Sequence, residues 1–224
     1  MKSSQTNDSM RALIRERIES SIATKQKLLA DSVFQEQVAR VAAKIVESLR
    51  RGGKVFFFGN GGSAADAQHL AAEFTGRYLK ERRPLPALAL SVNSSSLTAI
   101  GNDYGFEHVF ARQLEALGKA DDVAVGITTS GNSPNVVKAL EMARAKSIFA
   151  VALTGAAGEK AGQIADCAIC IPSKETPRIQ ECHILAGHLI CEIVEAEMLE
   201  NVESAKASRV FETAGPRTGG SGGR

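Results

Sequence analysis

The stretch of residues 54–77, KVFFFGNGGSAADAQHLAAEFTGR, constrains the fold of this chain more than any other part of the sequence. An apolar run over 55–58 predicts a buried strand, and a glycine-rich turn follows it over 59–62. Residues 64–74 are good helix formers, and Ser63 stands where the N-cap of that helix is expected. A strand, a glycine turn and a capped helix present backbone N–H groups to an anion, so this stretch predicts a phosphate-binding loop.

The same stretch allows two further interpretations, a metal or acid–base site and a dinucleotide site. His69 and Glu73 lie four residues apart on the predicted helix and share one face, but such a pair is solvated in some proteins and binds a metal in others. The glycine spacing also matches the dinucleotide fingerprint, which expects an acidic residue after the second strand. The strand predicted over 85–90 ends instead in Ser91-Val92-Asn93, which disfavours a nicotinamide or flavin site.

Beyond this stretch, strands and helices alternate along the chain. Predicted strands cover residues 85–90, 122–127, 148–153 and 167–171, and predicted helices cover 94–100, 106–117, 134–145 and 177–200. The strands show little polar alternation, which is typical of a parallel sheet covered by helices on both faces. The sequence therefore predicts an α/β fold with three layers around a central parallel sheet.

Two amphipathic helices are predicted ahead of the first strand, over residues 8–30 and 33–51. We interpret residues 1–52 as an antiparallel helical pair, 53–200 as the α/β domain and 201–224 as a C-terminal tail. The first helix is separated from the core by sequence, so we expect it to contact another subunit. The tail ends in AGPRTGGSGGR, a glycine-rich polar composition that predicts disorder.

The composition excludes several classes of function. The net charge of +2 lacks the strong basic excess that is typical of nucleic-acid-binding proteins. No apolar run approaches the roughly 20 residues of a membrane span. The N-terminus lacks the apolar segment of a secretory signal, and Cys167-x-x-Cys170 lies within a predicted strand, as expected for reduced cysteines. We therefore expect a cytoplasmic protein with neither a nucleic-acid nor a membrane partner.

A second loop follows the strand predicted over 122–127. Its hydroxyl side chains are Thr128, Thr129, Ser130 and Ser133. Pro134 directly after Ser133 marks a helix start, and an ordinary Ser/Thr-rich turn gives the same pattern. Both loops, however, follow parallel strands, and open α/β sheets bind ligands at that edge, so we expect this loop to hold a phosphomonoester.

The last predicted helix carries Gln180, His183 and His188 on an otherwise apolar segment. A His pair in such a segment is usually packed and hydrogen-bonded. Gln180 and His188 are eight residues apart, about 12 Å along the helix axis. The spacing leaves open whether the side chains of Gln180 and His188 can reach the same metal or catalytic site.

Seven motifs occur in order between about residues 30 and 200. They are Gly59-Asn60-Gly61-Gly62-Ser63, Gln68-His69 with Glu73, Thr75-Gly76-Arg77-Tyr78, Gly101-Asn102-Asp103-Tyr104-Gly105-Phe106, Thr129-Ser130-Gly131-Asn132-Ser133, Leu153-Thr154-Gly155, and Arg178-Ile179-Gln180-Glu181 with His188. Together they resemble the phosphoheptose isomerase family, which is part of the SIS (sugar isomerase) domain superfamily.

The resemblance implies a flavodoxin-like sandwich in a homotetramer, with active sites at subunit contacts. It implies interconversion of D-sedoheptulose 7-phosphate and D-glycero-D-manno-heptose 7-phosphate, an aldose–ketose isomerisation that leads to nucleotide-activated heptose for lipopolysaccharide or related glycans. It also implies one Zn²⁺ per subunit, held by His69, Glu73, Gln180 and His188. The implied substrate contacts are Asn60, Gly61, Gly62, Ser63, Glu73, Asn102, Asp103, Thr128, Thr129, Ser130, Ser133 and Gln180. For the proton transfer through an enediol we assign Glu73 and His188.

Other members of the superfamily supply the alternatives. Relatives that bind the replication initiator DnaA as non-catalytic scaffolds lack the acidic residue matching Glu73 and the histidine matching His188, and this chain has both. Another sugar-phosphate isomerase is a further alternative. Sugar-phosphate-sensing transcription regulators need a helix-turn-helix, which the first 50 residues do not resemble. Two departures from the family are Thr128 in place of a usual Ser and Asn93 where many relatives have Asp.

Overall fold

Five strands form one sheet in which all neighbouring strands run parallel. They are β1 (Val55–Gly59), β2 (Ala87–Ala89), β3 (Val123–Thr128), β4 (Phe149–Thr154) and β5 (Cys167–Cys170). The computed structural model, which describes residues 2–156 and 158–213, places them in the order β2-β1-β3-β4-β5. The predicted central parallel sheet is confirmed.

Helices cover both faces of this sheet. They are α1 (Lys2–Ala30), α2 (Ser32–Arg50), α3 (Gly62–Thr75), α4 (Ser94–Tyr104), α5 (Ala111–Leu117), α6 (Pro134–Ala145), α7 (Glu159–Ile164) and α8 (Thr176–Thr213), with a 3₁₀ turn over Phe106–His108. On one face α2, α3 and α8 pack with Val55 and Phe57 of β1, and on the other α5, α6 and α7 pack with Phe56 and Phe58. Successive strand side chains point to opposite faces, so this uninterrupted apolar strand is buried on both sides. Among the described helices, none is long and apolar enough to cross a membrane.

Several element boundaries differ from the sequence prediction. The last helix continues to Thr213 rather than ending at about residue 200, because neither Gly nor Pro interrupts residues 201–213. The rest of the predicted tail, 214–224, lies outside the described residues. The N-cap of α4 is Asn93, whose side chain accepts a hydrogen bond from Ser96 N at 3.0 Å. The Asn in place of the family's Asp therefore serves as a helix cap.

The two N-terminal helices are present, but they do not form the predicted antiparallel pair. The middle of α1 is bonded to the start of α8: Ser21 Oγ donates to Glu181 at 2.7 Å, and Arg178 donates to the carbonyl group of Arg17. Only one residue, Asp31, separates α1 from α2. Antiparallel helices are usually joined by two to five residues, so this junction leaves little chain for a reversal.

One row of apolar side chains on α1 faces solvent in the single chain. Its members are between 49% and 59% exposed: Met10, Leu13, Ile14, Ile18 and Ile22. Large apolar groups arranged on one helical face are typical of a surface that another protein covers. The row agrees with the expected subunit contact, which stays a prediction.

A buried histidine joins α8 to the end of β4. His183 is fully buried, and its Nε2 lies 3.1 Å from the carbonyl oxygen of Thr154, while its Nδ1 has no hydrogen-bond partner among the described residues. Burial lowers the pKa of His183 from 6.5 to about 4, although the hydrogen bond to Thr154 acts in the opposite direction. This histidine is therefore a neutral part of the core and not a ligand of the predicted site.

The low pKa of His183 makes folding sensitive to acid. The unfolded chain binds a proton below about pH 6.5 and the folded chain only below about pH 4, so stability is highest above pH 6.5 and falls as the pH decreases through this window. The full contribution is about 3 kcal/mol, at about 1.4 kcal/mol per pKa unit. We expect His183→Gln to flatten the decline of the urea midpoint between pH 7 and 4, whereas the same substitution at half-buried His108 keeps this decline. Equal slopes in both variants would contradict this assignment.

Candidate active site

The two predicted loops lie side by side at the carboxyl edge of the sheet. In the register of β1 with β3, Gly59 is opposite Ile127, so the turn after each strand begins at the same level. A reciprocal pair of amide hydrogen bonds joins the loops: Asn60 Nδ2 donates to Asn135 Oδ1 at 2.9 Å, and Asn135 Nδ2 donates to Asn60 Oδ1 at 2.8 Å. The β1–α3 turn and the first turn of α6 are thereby held together as one surface.

The glycine turn after β1 is built by close packing and by an unusual backbone conformation. A Cβ on Gly59 would lie 2.7 Å from the carbonyl oxygen of Ile127 and 2.7 Å from Ser63 Cβ. Gly61 has φ +56° and is the N-cap of α3, so the prediction that Ser63 caps this helix is wrong. The helix begins two residues earlier than predicted, at Gly62, and buried Ser63 packs against the end of β1.

In the second loop, hydroxyl groups gather around the end of β3. Thr128 Oγ1 lies 3.0 Å from Ser133 Oγ and 3.4 Å from Ser130 Oγ, and Asn132 N donates to Ser130 Oγ at 3.2 Å. Ser133 is the N-cap of α6 as predicted, but its hydroxyl bonds to Thr128 and not to the helix backbone. Thr128 is buried and Ser130 is exposed, so this cluster of hydroxyl groups reaches from the core to the surface. Thr129 is half-buried beside it.

A cavity opens beside the joined loops. Its volume is about 540 Å³, and its lining is Asn60, Phe106, Glu107, Ser133, Pro134, Asn135 and Lys138. Cavities of about 300–1,000 Å³ are the usual size for small ligands, so this one has room for a sugar phosphate.

A second cluster lies between α3 and α8. His69 Nε2 is 2.9 Å from His188 Nε2 and 3.2 Å from Glu73 Oε1, and the donor atoms of the three residues all lie within 4.8 Å of one another. The His69 side chain is 48% exposed and that of Glu73 is 21% exposed. The ring of Tyr78 stacks on His188 with ring centroids 5.6 Å apart. The structure therefore brings together three of the four predicted metal ligands.

This cluster fits a zinc ion. Zinc binds imidazole nitrogen and carboxylate oxygen at about 2.0–2.2 Å, which places ligand atoms of one ion about 3 Å apart. Among the described residues, one group of His, Cys, Asp or Glu side chains has three donor atoms close enough to share an ion, and it consists of His69, Glu73 and His188. Two imidazole nitrogens and one carboxylate also suit other divalent metals.

Comparison with known proteins identifies the family. Residues 14–155 match the SIS domain family, and a phosphoheptose isomerase from Rhodospirillum rubrum is 58% identical over 158 residues, which are 70% of this chain and 84% of the relative. This chain belongs to the phosphoheptose isomerase family. The relative from Aneurinibacillus thermoaerophilus is 52% identical over 86% of this chain and 97% of its own length. The solved phosphoheptose isomerase of Neisseria gonorrhoeae has a TM-score of 0.78 at 43% identity, and the alignment covers 84% of this chain and 99% of that one. The predicted family and fold are confirmed.

Other residues that the phosphoheptose isomerase family implies are not joined to these clusters within one chain. The amide of Gln180 lies against the start of α3, where a Cβ on Gly62 would come within 2.5 Å of Gln180 Nε2. It is thus near the first loop, and no described contact links it to His69, Glu73 and His188. Asn102 and Asp103 are exposed at the end of α4, and Asn102 Nδ2 donates to Asp103 Oδ1 at 2.7 Å. None of the described contacts joins these two residues to either loop.

Sequence reasoning missed Asn135. Only 2% of this residue is exposed, and its Oδ1 also accepts a hydrogen bond from Val136 N at 3.0 Å. The only sequence signal was a polar residue in the first turn of a helix, which is common and therefore uninformative. Its partner, Asn60, is 75 residues away.

We predict that Asn135→Ala lowers the free energy of unfolding by about 1–3 kcal/mol, because the substitution removes both hydrogen bonds to Asn60 and leaves buried polar atoms unpaired. The exposed neighbour Asn132 provides the control, and Asn132→Ala should change stability by less than about 0.5 kcal/mol. Urea unfolding of both variants measures the difference. Equal midpoints would show that the Asn60–Asn135 pair does not hold the loops together.

Proposed function

We propose that this chain interconverts D-sedoheptulose 7-phosphate and D-glycero-D-manno-heptose 7-phosphate, the step that opens the route to nucleotide-activated heptose. The observation that carries the proposal is the meeting of His69, Glu73 and His188 in a chain of the phosphoheptose isomerase family. A non-catalytic scaffold would not need these three donor groups at hydrogen-bond distance. The DnaA-binding alternative is therefore not favoured.

The two joined loops supply a phosphate-binding surface. The loop hydroxyls and the N-termini of α3 and α6 lie at the carboxyl edge of the sheet, where helix dipoles and free N–H groups favour a dianion. Thr128 retains a hydroxyl in place of the family's usual Ser, so this departure preserves the chemistry. Ser130 is the most exposed of the three clustered hydroxyls and is suited to contact the phosphate directly.

The isomerisation moves a proton from C1 of the ketose to C2 through an enediol. We assign the Glu73 carboxylate and the His188 imidazole to take and return this proton. A bound Zn²⁺ would be held by His69, Glu73 and His188, with Gln180 as the implied fourth ligand, and would stabilise the negative charge that develops on the substrate oxygen. A carboxylate engaged with a metal is a weaker base, so we assign the metal-holding role first to the two histidines and the proton transfer first to Glu73.

We also propose that the active form is a cytoplasmic homotetramer with its sites at subunit contacts. His69 is seven residues beyond Gly62, about 10 Å along α3, and nearly half of its side chain is exposed in the single chain. Covering the site with a second chain would exclude water from the reaction. The exposed apolar row on α1 supports assembly, and four free cysteines support a reducing compartment.

The function is tested by incubating the protein with D-sedoheptulose 7-phosphate, with and without a strong chelator, and following aldose formation by NMR. We expect product without chelator, loss of product with chelator, and recovery on addition of Zn²⁺. Absence of product in all samples would refute the isomerase assignment. Product that survives exhaustive chelation would retain the isomerase and exclude a required metal.

We predict that Glu73→Gln lowers kcat by at least about 10²-fold, because an amide neither accepts the proton nor carries the charge of a metal ligand. The matched control is Glu81→Gln, which makes the same chemical change at a side chain that is 90% exposed. Activity is measured by the NMR assay, and the oligomeric state of both variants by size-exclusion chromatography. Full activity of Glu73→Gln would remove Glu73 from the mechanism.

We predict that Ser130→Ala weakens binding of the sugar phosphate by about 10- to 100-fold, since a hydrogen bond to a charged group contributes about 1.5–3 kcal/mol. Its stability should change little because the side chain is exposed. Ser32→Ala, at the exposed start of α2, is the control. Substrate affinity is measured by calorimetry, and an unchanged affinity in Ser130→Ala would show that this loop does not hold the phosphate.

A further inference from the structure

A buried carboxylate on α8 organises the segment that follows α3. The side chain of Glu195 is 3% exposed, and its Oε1 accepts hydrogen bonds from Tyr78 N at 2.9 Å and Arg82 Nε at 3.0 Å. Its Oε2 accepts from Leu79 N at 2.7 Å and Lys80 N at 2.8 Å. Burial raises the pKa of Glu195, but the three backbone N–H groups and the Arg82 charge outweigh this and hold it below its usual value. Four donors therefore fix one ionised carboxylate.

The partner of this carboxylate, Arg82, binds the end of α3. Its Nη2 donates to the carbonyl oxygen of Glu73 at 2.7 Å, and its Nη1 donates to those of Phe74 at 2.9 Å and Gly76 at 3.3 Å. The last carbonyl groups of a helix lack partners within the helix, and a cation there is favoured by the helix dipole. The side chain of Arg82 is only 4% exposed, so it acts as an internal cap on the turn that carries Glu73.

The Arg82–Glu195 pair is also connected to His188 on α8. Glu195 lies seven residues after His188, so both project from nearly the same face of the helix about 10 Å apart. Tyr78, whose backbone N–H is held by Glu195, places its ring on His188 with an angle of 28° between the ring planes. The pair thus contacts the helix end that carries Glu73 and the residue that packs on His188.

We propose that Arg82, Glu195 and Tyr78 are positioning residues that hold Glu73 and His188 in the geometry required to bind a divalent metal. Groups that orient metal ligands typically change metal affinity by about 10- to 100-fold when they are removed. The proposal rests on the proposed function, because it concerns the metal site of that same enzyme. None of the three residues belongs to the family motif positions assigned above to metal or substrate, although Tyr78 lies within one motif.

The Lys54–Asp122 pair shows what a buried ion pair with a purely structural role looks like. Lys54 and Asp122 form a comparable pair before β1 and β3: Asp122 is 2% exposed and accepts hydrogen bonds from Lys54 Nζ at 2.9 Å, Lys54 N at 2.9 Å and Lys119 N at 2.8 Å. No described contact links this pair to His69, Glu73 or His188. Removing either carboxylate charge should destabilise the fold, but only Glu195 should affect the metal site.

The experiment measures zinc affinity of the metal-free, full-length protein by competition with a chromophoric chelator. We expect Glu195→Gln to raise the Kd for Zn²⁺ by about 10- to 100-fold and Asp122→Asn to leave it within about twofold of the wild type, with both variants showing lower urea midpoints. Equal affinity of Glu195→Gln and the wild type would overturn the inference. An equal loss in both variants would also overturn it, because the effect would then be general destabilisation.

Substitution of Tyr78 keeps the inference testable if Glu195→Gln does not fold. Tyr78 is partly exposed, and we expect Tyr78→Ala to weaken zinc binding while Tyr78→Phe, which keeps the ring over His188, retains it. Unchanged affinity in Tyr78→Ala would then overturn the inference. If the wild-type protein converts the substrate but binds no zinc, both the proposed zinc site and this inference are refuted, and the isomerase assignment stands. A zinc-binding wild type with unaffected variants would overturn the inference alone.

Discussion

The absence of a side chain at position 187 allows the two histidine-bearing helices to meet. A Cβ on Gly187 would lie 2.6 Å from Leu70 Cδ2, which is too close for any real contact, so a larger residue would require either the buried Leu70 side chain or α8 itself to shift. This contact is next to both His69 and His188 in the sequence, and the Nε2 atoms of these two histidines lie 2.9 Å apart. The cluster of His69, Glu73 and His188 is therefore a product of helix packing, because neither α3 nor α8 carries all three residues.

Helix α3 contributes both to the loop surface proposed to bind phosphate and to the cluster of His69, Glu73 and His188. The N-terminus of α3 forms part of the loop surface at the sheet edge, and its second and third turns carry His69 and Glu73. A helix is stiff over this length, so the separation of these two parts is set by the seven-residue step from Gly62 to His69. The register of β1 with β3 then fixes where the second loop lies relative to the first. Sheet register and helix geometry together determine the layout of the candidate site.

Features set by local sequence could be predicted, and features set by distant contacts could not. The apolar strand, both loops and the shared face of His69 and Glu73 follow from spacing along the chain, and the family followed from the order of the motifs. The pairing of Asn60 with Asn135 spans 75 residues and that of Arg82 with Glu195 spans 113, so no local pattern contains them. The mistaken cap at Ser63 has a different cause, which is local. The backbone of Gly61 starts the helix, because tight packing between Gly59 and Ser63 places that serine in the first turn.

The reciprocal amide pair also affects how the chain ages chemically. Asn60 is followed by Gly61, and an Asn–Gly sequence is prone to deamidation, in which the following backbone nitrogen attacks the side-chain carbonyl carbon. That attack requires the Asn60 side chain to rotate, which would break both hydrogen bonds to Asn135. A carboxylate formed there would set one of its oxygens against Asn135 Oδ1 and would place a negative charge where a phosphate is expected to bind. The contact that joins the loops thus also protects the most labile peptide in the site from a change that would repel the ligand.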